Sequence, residues 1–280
     1  MTIKILSDST CDLPLELLKK YNITLVPLTV IKNDTAFKDG VDISPADIFA
    51  HVAAGGALCS TSAVSVGEYE EFFEKYAKEY DAVIQINIGS GFSSSYQNAC
   101  VAASDFDNVY CVDSMNLTTG QAFLVLKAAA LAESGLEPSA IVEQLKALVP
   151  KVEASFLVDK LDYLAKGGRC SSAAALGANL LNLKPCIEVR EGKMTVVKKY
   201  RGNYAKCLAT YVKERLADRE DLDRDTLFIT RTDVSDECLQ AVHEAVGTHG
   251  HFANTYETIA GCTVSCHCGP GTLGVIFLKK

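Results

Sequence analysis

The sequence predicts an α/β protein in which an N-terminal doubly wound parallel-sheet domain precedes a second, α+β domain. Three observations lead to this prediction. Short runs rich in valine and isoleucine alternate with amphipathic helical segments through the first half of the chain. Most of these runs show no polar alternation, which is typical of parallel strands covered by helices on both faces. The second half instead contains a hairpin signal at residues 191–193, where a glycine sits between charged residues.

In the first half, strands and helices are predicted in alternation. The apolar runs predicted as strands are residues 3–6, 24–31, 82–88 and 109–112. Ser44 followed by Pro45 predicts a helix start, because serine favours the N-cap and proline the first turn. Ser65 and Glu68 have the spacing of a capping box, and an apolar stripe follows them over residues 66–76. A second stripe predicts a later helix over residues 141–149.

The second domain is predicted to begin near residue 155, which divides the chain into residues 1–155 and 156–280. A strand at residues 155–158 leads into a short helix, and an alanine-rich segment follows Arg169. The hairpin joins predicted strands at residues 187–189 and 195–197. Beyond it, helices near residues 204–216 and 236–246 alternate with strands near residues 227–230, 255–259 and 274–278. This order is typical of an α+β domain.

Composition limits the possible partners. The 280 residues include 27 Lys and Arg against 35 Asp and Glu, so the formal net charge is −8. Without a basic run, the chain is poorly equipped to bind nucleic acid or an anionic membrane. The eleven cysteines are odd in number and irregularly spaced, unlike a disulfide framework. The N-terminal residues resemble a strand, not a signal peptide, and no stable membrane insertion is expected. We therefore expect a reduced, cytoplasmic protein.

The richest local feature is a glycine- and serine-rich loop at residues 89–96, between a predicted strand and a helix. Free backbone N–H groups and the positive end of the helix dipole make such a turn an anion site. The hydroxyl groups of Ser93, Ser94 and Ser95 add neutral donors. In open α/β sheets, ligands bind at loops of this position. The loop therefore predicts non-covalent capture of an anion, although a serine that only caps its own helix is the simpler alternative.

The same loop partly matches a dinucleotide-binding fingerprint. Gly89 and Gly91 have the spacing of its first two glycines. Asp113 follows the next predicted strand, at about the sequence separation expected of the acidic residue that binds the ribose. Ser94, however, occupies the third glycine position, and the loop does not follow the first strand. A dinucleotide-dependent enzyme is thus a third-ranked interpretation.

A serine hydrolase of acyl esters is the alternative function from another class. Gly91 and Ser93 resemble the start of a nucleophile elbow, and His267 is a candidate base late in the chain. Ser95 replaces the glycine that normally closes this strained turn. Both interpretations of the loop, anion capture and a nucleophilic Ser93, stay open on these residues alone.

Two further segments are candidates for the same crevice. Thr61 lies outside the helix that Ser65 caps, so its hydroxyl can turn toward a ligand, and a polar loop follows the first strand at residues 7–10. Three cysteines surround His267 near the C-terminus, at positions 262, 266 and 268. If this segment is an extended strand, the cysteines share one face and His267 points to the other, so they do not converge on a metal. We predict buried cysteines and no metal site. His267, just before Gly269-Pro270-Gly271, is either a loop-end histidine that reaches the crevice or a structural histidine whose hydrogen bonds are satisfied within the fold.

Taken in order, these motifs resemble the DegV family, whose members bind fatty acids. The matching segments span nearly the whole chain and are residues 7–14, Thr61-Ser62 with Gly67, Gly91-x-Ser93 with Tyr96-Gln97, residues 112–114, residues 161–169, and His267-x-Gly269-Pro270-Gly271. The sequence departs from the family pattern at Ala63-Val64, Ser94-Ser95 and Cys170-Ser171. These departures keep the hydroxyl donors but change the loops around them.

The resemblance implies two DegV-like domains with a fatty acid, of the palmitate or oleate class, in a tunnel between them. It implies a bacterial lipid-binding protein without a cofactor or catalytic residues of its own, which presents the acid to an ATP-dependent fatty acid kinase subunit for acyl-phosphate formation. Thr61 and Ser93 match the family's carboxylate-binding residues, Ser94 adjoins them, and His267 matches a histidine near the headgroup. Arg169 and Arg201 are candidates for the partner or entrance surface.

Overall fold

The computed structural model describes residues 1–174 and 183–280. The strands, in chain order, are β1 (Ile3–Asp8), β2 (Thr24–Val26), β3 (Thr29–Lys32), β4 (Thr35–Lys38), β5 (Ser60–Ser62), β6 (Ala82–Asn87), β7 (Val109–Asp113), β8 (Val152–Val158), β9 (Leu183–Arg190), β10 (Lys193–Arg201), β11 (Leu222–Arg231), β12 (Asn254–Ile259) and β13 (Thr272–Lys279).

The helices, in chain order, are α1 (Leu15–Lys20), α2 (Pro45–Ala53), α3 (Val66–Glu79), α4 (Ser95–Ala103), α5 (Thr119–Glu133), α6 (Pro138–Leu148), α7 (Asp162–Gly167), α8 (Ser171–Ala174), α9 (Tyr204–Leu216), α10 (Asp236–His249) and α11 (Cys262–Cys268). The N-cap predicted at Ser44 and the capping box predicted at Ser65 are confirmed, and in both helices the third residue returns the hydrogen bond. Of the predicted alanine-rich segment, residues 175–182 lie outside the described part.

The first sheet has the strand order β2-β1-β6-β7, and all its pairs are parallel. Neighbouring residues of β1 point to opposite faces. Ile5 packs in the cluster that contains α5 and α6, while Leu6 packs with Tyr69 and Phe73 of α3. Helices therefore cover both faces, and the predicted doubly wound parallel sheet is confirmed.

The predicted strand over residues 24–31 is wrong, because it is two strands. Pro27 separates β2, which belongs to the parallel sheet, from β3, which lies in a small antiparallel sheet of order β4-β3-β5. Proline has no N–H group to donate to a continuous ladder. The small sheet matters for the site because β5 carries Thr61, opposite Val30 of β3.

The second sheet has the order β10-β9-β8-β13-β11-β12 and is mostly antiparallel. The predicted hairpin is present: Glu191 and Gly192 both have positive φ and join β9 to β10 in a two-residue turn. Helices α9 and α10 cover one face of this sheet. On the other face, Phe228 and Ile276 pack in the cluster that contains α5, so α5 lies between the two sheets.

Two further expectations change with the structure. The predicted boundary between residues 155 and 156 falls inside β8, whose residues 152–158 all pair with β13. The segment around His267, predicted as a strand, is the helix α11. Its cysteines therefore do not share one face: Cys262 and Cys266 pack with Cys59 in one apolar cluster, and Cys268 in another. The described residues contain no helix of the length and apolarity that crossing a membrane requires.

Candidate functional site

A cavity of about 110 Å³ lies where loops of the parallel-sheet unit meet α11 and the region of α7. Its lining divides into two kinds of residue. One side is polar and consists of Thr61, Ser62, Ser93, Ser94, Arg169, Thr263 and His267. The other is apolar and includes Leu28, Ile88, Phe92, Leu117, Met194 and Val264. The structure therefore brings together four residues that the sequence nominated from distant segments, Thr61, Ser93, Ser94 and His267.

Thr61 and His267 meet directly across the cavity. Thr61 Oγ1 lies 2.8 Å from His267 Nε2, although the two residues are 206 positions apart in the chain. β5 presents Thr61 and α11 presents His267. Among the described residues, no hydrogen-bond partner exists for His267 Nδ1, which is buried. Gly167 provides the space for this ring, because a Cβ there would lie 2.6 Å from Nδ1.

The charge state of His267 follows from its surroundings. Burial, with a smaller effect from the charge of Arg169, lowers the pKa of His267 to about 4. The ring is therefore neutral near pH 7 and has one N–H group. If that proton is on Nε2, the ring donates to Thr61 Oγ1, and the threonine hydroxyl is free to donate in turn. A neutral histidine and a hydroxyl can thus present a donor to an anion.

The serine loop supplies the second group of donors. Ser93 Oγ lies 2.9 Å from Ser95 Oγ and accepts a hydrogen bond from the Ser95 N–H at 3.2 Å. Ser94 is the N-cap residue of α4, but its side chain makes no capping hydrogen bond. In contrast, N-cap side chains of α2, α3, α9 and α10 all do so. The simple capping interpretation therefore holds only in part, for Ser93, and Ser94 is left exposed at the cavity.

The hydrolase alternative requires a hydrogen bond between nucleophile and base. Ser93 bonds to Ser95, while Nε2 of His267 bonds to Thr61. A base also needs a group that orients it, and none of the described residues bonds to His267 Nδ1. With a pKa near 4, this histidine is a weak base. The geometry therefore does not support a serine hydrolase here.

The dinucleotide alternative also fails on geometry. A Cβ on Gly91 would lie 2.2 Å from the carbonyl oxygen of Gly192, so Gly91 accommodates the β9–β10 turn rather than a pyrophosphate. Asp113, nominated as the ribose ligand, accepts hydrogen bonds from the backbone N–H groups of Ser90 at 3.1 Å and Met115 at 2.8 Å. Both residues therefore shape the loop.

A second, smaller cavity of about 30 Å³ lies beside the first. The two share Leu117, Val264 and Cys268 in their walls. The rest of the second lining comes largely from the six-stranded sheet and includes the apolar residues Ala154, Phe156, Gly274 and Ile276. A cavity that contains the hydroxyl groups of Thr61 and Ser93 is thus separated from a largely apolar cavity only by a shared wall of three residues. Sequence reasoning missed these apolar residues, because nothing local separates a cavity wall from a core.

The two nominated arginines differ in position. Arg169 is exposed and lines the first cavity, and its Nη1 donates to the carbonyl of Gly167 at 2.8 Å. Arg201 is exposed at the end of β10 and does not line either cavity. Within the described residues, no group of three metal-binding side chains converges.

Comparisons with known proteins agree with this architecture. A family model described as "Uncharacterised protein, DegV family" matches residues 2–280. A DegV domain-containing protein of Caldanaerobacter subterraneus is 33% identical over 99% of both chains. A Thermus thermophilus structure reported as fatty acid binding of a DegV family protein has a TM-score of 0.92, with 28% identity and 100% coverage of both chains. A stearic acid-binding protein of Eubacterium ventriosum has a TM-score of 0.85 at 26% identity, covering 99% of this chain and 98% of its own.

Proposed function

The chain belongs to the DegV family, and on that premise we propose that it binds one long-chain fatty acid, of the palmitate or oleate class, between its two sheets. The carboxylate lies at the polar end of the cavity, near Thr61, Ser93, Ser94 and His267. The acyl chain runs past Leu117 into the apolar interior. One observation carries the proposal: a cavity with hydroxyl groups in its lining lies directly beside a largely apolar second cavity, and the two share a wall. We divide the two units at the start of β8, so that this path runs between them.

The carboxylate and the acyl chain of the ligand contribute very different amounts of binding free energy. A neutral hydrogen bond contributes about 0.5–1.5 kcal/mol net. Each buried methylene contributes about 0.8 kcal/mol, so a chain of about sixteen carbons contributes on the order of ten kcal/mol. The tail therefore supplies most of the affinity, and the hydroxyl groups fix the orientation. Both cavities are smaller than the roughly 300–1,000 Å³ typical of ligand pockets. A long chain thus enters as wall side chains such as Met194 and Leu117 move aside.

Native mass spectrometry of the purified protein tests this proposal. We expect a co-purifying mass that matches a long-chain fatty acid, or a one-to-one complex after palmitate or oleate is added to delipidated protein. Decane, which has no carboxylate, serves as the control for nonspecific uptake into apolar space. Delipidated protein that folds but takes up no fatty acid would show that the proposal is wrong.

We further propose that the bound acid is presented to a separate, ATP-dependent kinase subunit, which forms the acyl-phosphate. The sequence contains no P-loop and no kinase motif, in agreement with catalysis by a partner. Arg169 and Arg201 are exposed cations proposed for the partner or entrance surface. A cognate kinase with ATP and palmitate should form acyl-phosphate only when this protein is added. Equal turnover of free palmitate by the kinase alone would contradict the presenting role.

The bacterial cytoplasm is the compartment that we propose for this function. The relatives described above are bacterial. All eleven cysteines are unpaired thiols, which agrees with a reducing compartment.

A further inference from the structure

Helix α11 carries four residues of the cavity wall, Thr263, Val264, His267 and Cys268. It has seven residues, and threonine, valine and cysteine, which dominate it, have low helix propensity. A helix of this length does not persist on its own, because nucleation is costly and few bonds repay it. Its position, and with it the position of His267, must therefore be imposed by contacts with other elements.

Two carboxylates from the first forty residues provide these contacts. The N–H of Cys262 donates to Asp39 Oδ1 at 2.8 Å, and the N–H of Thr263 donates to Asp39 Oδ2 at 3.1 Å. The N–H of Gly261 donates to Asp12 Oδ1 at 2.8 Å. Three successive backbone N–H groups at the start of α11 thus bind side chains that lie more than 220 positions away. A negative charge at this end of a helix also interacts favourably with the helix dipole.

The carboxylates are themselves held in place. Ser9 Oγ donates to Asp39 Oδ2 at 3.0 Å, and Thr118 Oγ1 donates to Asp12 Oδ2 at 2.5 Å. Asp39 is 4% exposed and Asp12 is 8% exposed, so neither contact is a surface pairing. Burial raises the pKa of Asp12 to about 8. The hydrogen bonds from Thr118 and from the N–H of Gly261 oppose this rise, because they favour the charged form.

Gly261 makes this arrangement possible. A Cβ at this position would lie 2.9 Å from Asp12 Oδ1 and 3.5 Å from Asp39 Oδ1. Its φ of −63° is open to any residue, so space, not backbone conformation, accounts for the glycine. Neither Asp12 nor Asp39 lines a cavity.

We propose that Asp39, assisted by Asp12, is a positioning residue for the ligand carboxylate. It fixes the start of α11, so that His267 Nε2 meets Thr61 Oγ1 and the threonine hydroxyl is aimed at the ligand. The inference rests on the proposed fatty acid binding and adds to it the residues that set the headgroup geometry. A residue with this role controls selectivity for the carboxylate, whereas a residue that only stabilises the fold affects all ligands alike.

The test is the variant Asp39→Asn, measured with palmitate and with 1-hexadecanol, which has the same chain but no carboxylate. The amide keeps one acceptor oxygen but turns an N–H₂ group toward a donor of α11 or Ser9. We expect the affinity for palmitate to fall about tenfold and that for hexadecanol to change less than twofold. The matched control is Asp42→Asn on the same loop, since exposed Asp42 accepts from the N–H of Lys38 and not from α11.

Equal losses for both ligands, or no loss for either, would overturn the positioning role. If wild-type protein binds neither ligand, the proposed function itself is wrong. If Asp39→Asn does not fold, Gly261→Ala provides the second variant, because it displaces Asp12 by a single methyl group. The same selective loss of palmitate is expected from Gly261→Ala, and a nonselective effect would contradict the inference.

Discussion

The N-cap residue of α4 and residues of α11 both line the cavity, and the N-termini of the two helices differ in what their backbone N–H groups bind. At α11, two buried carboxylates of the protein occupy the N–H groups. At α4, the N-cap residue Ser94 makes no capping hydrogen bond and stands exposed at the cavity. The positive end of α11 is therefore closed by the chain itself, and that of α4 is left for an anion to approach.

The difference shows that a helix N-terminus can either stabilise the fold or remain available for a ligand. A helix N-terminus attracts negative charge wherever it lies. Where the sequence supplies a carboxylate, as from Asp39, the result is a fixed element. Where the sequence supplies only hydroxyls, as at Ser93 and Ser94, we propose that the ligand's carboxylate binds. The next two predictions either place a carboxylate at the N-terminus of α4, as at α11, or remove one of its hydroxyl groups.

The largest effect is expected from Ser94→Asp, which closes α4 as α11 is closed. The new carboxylate can accept from the N–H groups of Tyr96 or Gln97, so the free energy of unfolding should stay the same or rise. It also places a negative charge where we propose that the ligand carboxylate lies. Like charges about 4 Å apart repel by several kcal/mol at an effective dielectric constant of about 20. Palmitate affinity, measured by calorimetry, should fall about a hundredfold.

The neutral variant Ser94→Asn is the control for this experiment. Asparagine caps as well as aspartate but has no charge, so palmitate affinity should change less than about threefold. If both variants bind palmitate with wild-type affinity, the ligand carboxylate does not lie at the start of α4.

A smaller effect is expected from Ser93→Ala, which removes one proposed hydroxyl donor before α4 and adds no charge. One neutral hydrogen bond is worth about 0.5–1.5 kcal/mol, so palmitate affinity should fall about three- to tenfold without being abolished. The variant also removes the acceptor for the Ser95 N–H, so its thermal stability must be measured beside binding. Ser104→Ala, at the exposed far end of α4, is the matched control. A complete loss of binding in folded Ser93→Ala would show that the tail does not supply most of the affinity.

The two helix ends also differ in how far the sequence predicts them. The loop before α4 lies within a few residues of its strand, and the Gly and Ser pattern at residues 89–95 indicates an anion site directly. The N-cap at Ser44 and the capping box at Ser65 are equally local signals, and both are confirmed. Valine- and isoleucine-rich runs likewise predict the buried parallel strands, because burial on both faces leaves a continuous apolar signal.

Helix α11 is not predictable in this way. Its residues are nearly all buried, so it shows no amphipathic stripe, and its composition favours a strand. The contacts that make it helical come from Asp12 and Asp39, more than 220 positions upstream. The contact of Thr61 with His267 has the same origin in the tertiary structure. The sequence nominated each residue separately, but only the fold shows the 2.8 Å hydrogen bond between them.

The smallest effect is expected from pH, acting through His267 in the last turn of α11. Burial lowers the pKa of His267 to about 4 in the folded chain, against an ordinary value of about 6.5 in the unfolded chain. Between these values the unfolded chain binds the proton more strongly, so the stability contributed by the neutral ring is present above pH 6.5 and is lost as the pH falls toward 4. Denaturant titrations should therefore show wild-type protein losing more free energy of unfolding between pH 6.5 and pH 5 than His267→Gln does.

Comparison with His267→Gln isolates this contribution, because the rest of the sequence is the same in both proteins. Glutamine keeps a group that can bond to Thr61 but has no proton to gain. Parallel curves for the two proteins would mean that His267 is not held neutral by burial, and hence that the carboxylate pair does not hold α11 in a water-excluded position. A steeper wild-type curve would mean that burial keeps the His267 ring uncharged where it meets Thr61.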